Sequence, residues 1–428
     1  MKETEAVPSL AAETPPGLRA LQNLVSQLWL PEGEVTSWPV RVTSGEVPPG
    51  FRAVETYAVV PSPERARFLV PLATAAAAAA SVGRYNGLRE PGTRVFRFLL
   101  GLGYRLRIAQ RVIRHRLVVC VDERLDERAL PGHLLSAHLR EVLGEADVVV
   151  GAGVHRIDPH HKPVLQLFSP AGKPVGYVKV GWNDATRTMV ATEAEALSLV
   201  GDMNEMHVPR VLHEGTWRDY RLTVTAPLPE TVRRHREPDR LPAARFSLAV
   251  AESTGGYVAP LRASGFWRGI REEVAIVAAE EAELAAAMGR VLDRVELTCG
   301  DVSLRFGRWH GDWVPWNLAW ADGTLCVWDW EHSGGDAPVG FDSLHWRFQV
   351  AMELRDLGLR GAVSAVIGAA HDDLAEYGVP EEARHCLADL YLVEMFLRVC
   401  RLKRGGGWWS DRFHPHMIDE LARMERSR

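Results

Sequence analysis

The 428-residue sequence predicts an α+β fold in two lobes, a small antiparallel-sheet lobe followed by a mostly helical lobe, with an additional α/β region at the N-terminus. Three observations predict it. Between residues 146 and 226, strand patterns of period two flank a single helical pattern. From residue 227 to the end, helical periodicity dominates. Within that helical part, residues 310–331 read as a loop and short hairpin with acid and amide side chains at fixed intervals. The expected organisation is therefore a loose tail over residues 1–19, an accessory or cap region over 20–145, the small lobe over 146–226 and the helical lobe over 227–428.

Each zone is justified by its own residues. The first 17 residues, MKETEAVPSLAAETPPG, are rich in Glu, Pro and Ala, as a loose tail would be, and lack the basic start and apolar centre of a signal peptide. Arg52 to Val60 and Arg67 to Val70 read as strands around a PSPE turn, followed by an alanine-rich helix, and Leu134 to Leu143 as a short amphipathic helix. Asp147 to His155 runs Val148, Val149 and Val150 into GAG, a strand entering a glycine turn. Lys162 to Phe168 and Gly176 to Val180 flank SPAGK, a hairpin with glycine and lysine at its tip. A helix capped by Asn183 or Asp184 then runs to about Val200, and strands follow at Arg210 to Glu214 and Arg221 to Thr225. In the helical zone, Glu272 to Val295, Ser343 to Leu357 and Cys386 to Leu402 carry helical patterns. No internal repeat is present.

Composition excludes several classes. With 46% hydrophobic and 25% charged residues and a net charge of −5, the chain is ordinary for a soluble protein and has no global attraction for nucleic acid. The most apolar run, Leu69 to Val82, is too short to span a bilayer. Five cysteines, odd in number and without a CxxC pair, argue against a disulfide framework or zinc site and for a reducing cytoplasm. Arg94, Arg97, Arg105, Arg107, Arg111, Arg114 and Arg116 form a basic stretch, read as a solvated face that pairs with the following DERLDER, so neither nucleic acid nor membrane is an expected partner.

The chemistry is carried by HGDWVPWN, LAWADGT and LCVWDWE. Asp312 stands five residues before Asn317, and Asp329 follows an apolar run, Leu325 to Trp328. Phosphoryl transfer asks for alignment and charge neutralisation, and for a carboxylate that accepts the proton of an attacking hydroxyl. Asp312 suits that role in a loop opened by His310 and Gly311, while Asn317 and Asp329 offer the hard oxygen ligands that magnesium prefers. Turn residues alone would not place a second aspartate after an apolar strand.

Lys179, in GYVKV, sits in a buried strand, where an ammonium needs a partner. On the following helix Glu193 falls in the apolar stripe of Met189, Val190, Leu197 and Val200, whereas Glu195 faces the other way. Glu193 is the predicted partner, and the pair would orient the lysine onto nucleotide phosphates. Gly151 and Gly153 sit where phosphates would lie, but GAGVHRIDPHHKP lacks a third glycine, so a plain β-turn and a phosphate clamp both stand. His155, His160 and His161 lack a matching carboxylate or cysteine cluster and read as a solvated loop.

These pieces resemble the aminoglycoside phosphotransferase family of small-molecule kinases, whose fold is that of the protein kinases. The matching stretches are GYVKVGWND, TEAEAL, VPRVLHEG, TVTAPLP, WHGDWVPWN and VWDWEHSGGDAPVGFDSLHW, over roughly residues 146–425. The resemblance implies a two-lobed kinase-like fold with Asp312 as catalytic base, Asn317 and Asp329 as magnesium ligands and Lys179 with Glu193 as the phosphate-positioning pair. It makes Thr225, Ala226 and Leu228 part of a hinge that holds adenine. Asp342, in GFD, is implied to buttress the catalytic loop; capping the next helix is an equal role for it. The implied partners are ATP, with GTP the alternative, magnesium, and a small hydroxylated substrate such as an aminoglycoside, sugar or amino alcohol. Residues 1–145 match nothing in that shared fold. A catalytically silent pseudokinase is the alternative; a protein kinase is disfavoured by HGD in place of HRD and by the absence of APE after Asp329. The acidic residues Asp336, Asp372, Asp373 and Glu376 are candidates for a polycation site, and the oligomeric state is open.

Overall fold

The computed structural model describes residues 14–31, 37–145, 147–155, 158–201, 203, 205–235, 237–407, 413 and 416–426. Most of the expected tail, residues 1–13, lies outside them, as does Ala146 at the expected start of the small lobe, and Pro16 already opens a helix. The α+β class holds, with antiparallel strands followed by helices. The chain forms two compact units, residues 1–82, 99–157 and 165–173 in the first and 83–98, 158–164 and 174–428 in the second.

The first half of the chain runs α1 (Pro16–Trp29), β1 (Val40–Thr43), β2 (Phe51–Val60), β3 (Phe68–Pro71), α2 (Ala75–Gly83), α3 (Pro91–Arg105), α4 (Ala109–Val112), β4 (Arg116–Asp122), α5 (Leu130–His133), α6 (Leu135–Leu143), β5 (Val149–Gly153) and β6 (Val164–Phe168). The strands of the first unit lie in the order β1-β4-β2-β3-β5-β6, every pair antiparallel. α1 buries Leu21, Leu24 and Leu28, a stripe at helical spacing. Gly151 and Gly153 lie within β5 and pair with β6 and β3, so they form no glycine turn. Packing explains Gly151: a Cβ there would come within 3.3 Å of Pro71 and Ser81.

The second unit continues with β7 (Pro174–Gly181), α7 (Asp184–Val200), β8 (Met206–His207), β9 (Val211–Trp217), β10 (Tyr220–Thr225), β11 (Arg233–Arg234), α8 (Ala244–Glu252), β12 (Tyr257–Pro260), α9 (Gly265–Val277), α10 (Ala282–Cys299), β13 (Ser303–Trp309), β14 (Leu318–Ala321), β15 (Thr324–Val327), β16 (Gly334–Pro338), α11 (Phe341–Gln349), α12 (Gly358–Ala375), α13 (Glu381–Arg404) and α14 (Met417–Arg426). β10 pairs antiparallel with both β7 and β9. α7 opens on a capping box, Asn183 accepting from the Thr186 N–H while the Thr186 hydroxyl accepts from the Asn183 N–H. It is tied to the sheet where the Thr223 hydroxyl donates to the Val190 carbonyl at 3.0 Å.

Three expectations change. The helix expected over Glu272 to Val295 is two, α9 and α10, separated by a turn at Ala278–Glu281 in which the Glu281 N–H still bonds the Val277 carbonyl. Helix propensity there favours continuation. The turn brings α9 back against α10, burying Trp267, Ile270, Leu284 and Met288 in one core, and packing overrides propensity. The helix expected over Ser343 to Leu357 is α11 followed by a π-turn at Val350–Leu354. Cys299 and Cys386 form a disulfide, leaving Cys120, Cys326 and Cys400 as buried thiols among the described residues. Cysteine spacing could not reveal a pair 87 residues apart.

Candidate active site

The site begins with a hairpin. β14 and β15 pair from Ala321↔Thr324 back to Leu318↔Val327, so the tight turn is Asp322-Gly323. Both turn residues have positive φ, 50° and 85°, the conformation an Asp-Gly hairpin favours. Its open end holds Asn317, whose carbonyl accepts from the Trp328 N–H at 3.3 Å. Asp329 comes next, in the left-handed region at φ 70°, where a non-glycine residue is strained and functional residues concentrate.

Asp312 is held on both oxygens. Asn317 Nδ2 donates to Oδ2 at 2.7 Å, and His345 Nε2 lies 3.0 Å from Oδ1. His345 is wholly buried, and burial next to Arg398 keeps its pKa far below the usual value. A neutral imidazole donating from Nε2 to a carboxylate must accept at Nδ1, where the Tyr391 hydroxyl stands at 2.9 Å. The result is a buried chain, Tyr391 to His345 to Asp312. Burial and the neighbouring Asp329 carboxylate push Asp312 up to about 7.

The loop beneath it is pinned from both sides. Asp342 accepts from the N–H groups of His310 and Gly311 at 2.9 and 3.0 Å, and Arg398 donates to the Gly311 carbonyl at 2.7 Å. Asp342 thus braces this loop from the first turn of α11, with no side-chain cap bond to that helix. His310 Nδ1 accepts from the Asp312 N–H at 3.1 Å, so Nε2 carries the proton and donates to the Trp328 carbonyl at 3.1 Å. His310 therefore ties the loop to the strand leading into Asp329. Burial lowers its pKa to about 4, which favours the neutral imidazole. Gly311 has φ 79°, and a Cβ there would meet the His332 carbonyl oxygen at 2.0 Å.

Lys179 enters from β7. Its Nζ lies 2.7 Å from Glu193 and 3.3 Å from Glu331 and is bonded to Asp329. Burial opposes the ammonium, yet Asp329, Glu193 and Glu331 outweigh it and hold its pKa well above the usual value. Glu193 is buried on α7 and Glu195 exposed, as the helical stripe predicted. Lys162 is a residue that sequence reasoning missed: it is buried and pairs with Glu331 at 2.8 Å. Burial would raise the Glu331 pKa, but Lys162 and Lys179 together bring it to about 2. Glu331 and His345 were also assigned no role, although both lie inside stretches singled out for their motifs.

Glu193, Asp329 and Glu331 bring oxygens within 4.8 Å of one another, close enough to share a metal ion as well as Lys179. Carboxylates with the Asn317 amide at the same hairpin end are a hard, all-oxygen donor set that fits magnesium. His155, His160 and His161 do not belong to it; His160 pairs with Asp158 at 3.1 Å. Gly151 and Gly153 belong to the first unit.

The segment expected to act as a hinge has its backbone groups occupied. Thr225 ends β10 opposite Tyr177, and the Ala226 N–H donates to the Arg210 carbonyl at 2.8 Å. The Leu228 N–H donates to the Tyr85 hydroxyl at 2.5 Å, and the Leu228 carbonyl accepts from Arg84 at 2.7 Å. The Tyr85 ring stacks on Tyr177 at 5.3 Å. Among the acidic candidates, Asp373 is paired with Arg347 at 2.7 and 2.9 Å, and Asp336 accepts from the Tyr257 hydroxyl at 2.8 Å.

No protein-family model matches the sequence, and no curated protein matches it. Solved structures do. A thermostable mutant of aminoglycoside phosphotransferase APH(4)-Ia is 14% identical with a TM-score of 0.43, covering 68% of this chain and 98% of that one. A putative fructosamine-3-kinase from Haemophilus somnus 129PT is 11% identical with a TM-score of 0.40, covering 67% and 96%. A glucosamine kinase is 17% identical with a TM-score of 0.32, covering 68% and 84%. At these identities and TM-scores the likeness alone says nothing about what this chain does.

Proposed function

We propose that this chain is an ATP- and magnesium-dependent phosphotransferase whose acceptor is a hydroxyl group of a small molecule. The observation that carries the reading is Asp312, a buried carboxylate held by Asn317 and His345 on a braced loop, with Lys179, Glu193 and Asp329 in the same unit. In the reaction, the acceptor oxygen attacks the terminal phosphorus as its proton passes to Asp312. The bond from that phosphorus to the bridging oxygen breaks, and the nucleoside diphosphate departs with the electron pair. Lys179, kept charged by its carboxylates and oriented by Glu193, would turn its ammonium to the phosphates. Asn317 and Asp329, with Glu331 close by, would hold magnesium, which when bound neutralises phosphate charge.

The test is an ATP-consumption screen over hydroxylated metabolites and antibiotics, run beside Asp312→Asn. At least one acceptor should stimulate ATP consumption by the parent protein and not by the variant. Equal rates for both proteins with every acceptor would sink the proposal.

One observation favours a second reading, a catalytically silent scaffold module. Tyr85 and Arg84 occupy the Leu228 backbone groups that the hinge would offer to adenine. No ATP binding in calorimetry, together with no turnover on any acceptor, would establish it.

A further inference from the structure

We propose that α3 and α4 form a docking surface for an anionic lipid bilayer. The sequence reading made this arginine-rich stretch a solvated face paired with DERLDER. The structure shows otherwise. The last turns of α3, which lie in the first unit, are turned inside out for a soluble helix: Gly101 and Tyr104 face inward, while Leu99 and Leu102, with Leu106 just past the helix end, are 59, 43 and 59% exposed. Ile108 and Val112 follow at 54 and 70%. On a helical wheel Leu99, Leu102 and Leu106 share one face, opposite Gly101 and Tyr104. Soluble proteins rarely leave such a patch uncovered.

Charge identifies the occupant. Arg105, Arg107, Arg111 and Arg114 are exposed beside the apolar residues, and among the described residues none is ion-paired. Residues 91–121 contain no Asp or Glu. Of the acids that follow, Asp122 accepts from the Arg124 N–H and Asp126 from the Arg128 N–H, and none of residues 122–128 forms an ion pair with these arginines. Leucines on one face with unpaired arginines beside them is the composition of a helix that lies in a bilayer interface. No helix among the described residues is long and apolar enough to cross a membrane, so this contact is peripheral. A second copy meeting this face about a two-fold axis would set four arginines against four, with no carboxylate from the segment to relieve them. Phosphate headgroups supply the missing negative charge, and acyl chains the apolar contact.

The full-length protein is sedimented with vesicles of phosphatidylcholine alone and of phosphatidylcholine mixed with phosphatidylglycerol. It should bind the second and not the first, with binding weakened by salt. Each arginine at such a surface is worth a factor of about five, so Arg105→Glu with Arg111→Glu should lower binding by at least tenfold. Leu102→Glu with Leu106→Glu should do the same by removing apolar burial. These side chains are exposed, and an unchanged melting temperature would show that the variants fold. Failure to bind the anionic vesicles, or equal binding by the variants, would overturn the proposal. So would an oligomer in sedimentation velocity that Leu102→Glu with Leu106→Glu splits into monomers, because a second copy would then own the face.

Discussion

Asp312 and Lys179 sit in opposite electrostatic situations, and their variants should fail differently. If Asp312 is the proton acceptor, Asp312→Asn, which leaves Lys179 and Asp329 in place, should lower turnover about 10²–10⁴-fold while nucleotide affinity, measured by calorimetry, stays within a factor of a few. Lys179→Met leaves Glu193, Asp329 and Glu331 crowded around a thioether with only Lys162 for charge, and should cost about 3 kcal/mol in urea unfolding. Glu193→Gln keeps the shape and leaves Lys179 two carboxylates, so its cost should be about 1 kcal/mol. Equal losses in the two variants would mean that the cluster does not share its charge as described. The Lys179–Glu193 pair was legible because a carboxylate in an apolar helical stripe advertises a buried cation. Lys162 was not, since its partner is 169 residues away and a lysine before a strand carries no local sign of burial. His345 was hidden for the same reason: its bonds to Asp312 and Tyr391 join three separate elements.

At the level of elements, the β14–β15 hairpin was readable because Asp322-Gly323 is a strong local turn signal that sets the register and thereby brings Asn317 beside Trp328. The break between α9 and α10 was unreadable because nothing local opposes continuation. In the segment expected as a hinge, a correct strand end, at Thr225, hid what covers the residues after it. Tyr85 belongs to a segment more than a hundred residues earlier, and its hydroxyl competes for the Leu228 N–H. If adenine uses that N–H, Tyr85→Ala should raise ATP affinity by up to about tenfold, the worth of one neutral hydrogen bond removed from competition. Titration calorimetry with ATP and magnesium decides it. A fall in affinity would instead make Tyr85 part of the base site, stacking with Tyr177 around the nucleotide.

Over the whole molecule, hydrophobic periodicity finds elements but not which of them share a core. The sequence suggested contiguous regions, whereas both compact units are assembled from separated stretches, with residues 83–98 and 158–164 counted in the second. Those two excursions bring Tyr85 and Lys162 to the unit that holds Asp312, Lys179 and Asp329. A ligand that binds only the folded second unit must stabilise that unit by mass action, by about 2.7 kcal/mol when its free concentration is a hundred times its dissociation constant. Scanning calorimetry with ATP and magnesium should therefore move the transition carrying the second unit upward by several degrees, whether the units melt in one step or two. If Asp329 holds magnesium against the phosphates as proposed, a chelator, or Asp329→Ala, should remove most of that shift. Asp312→Asn should keep it, since the base role proposed for Asp312 concerns the acceptor hydroxyl and not the nucleotide. A shift that survives both chelator and Asp329→Ala would place the nucleotide away from the β14–β15 hairpin, and the roles assigned to Asn317 and Asp329 would fall with it.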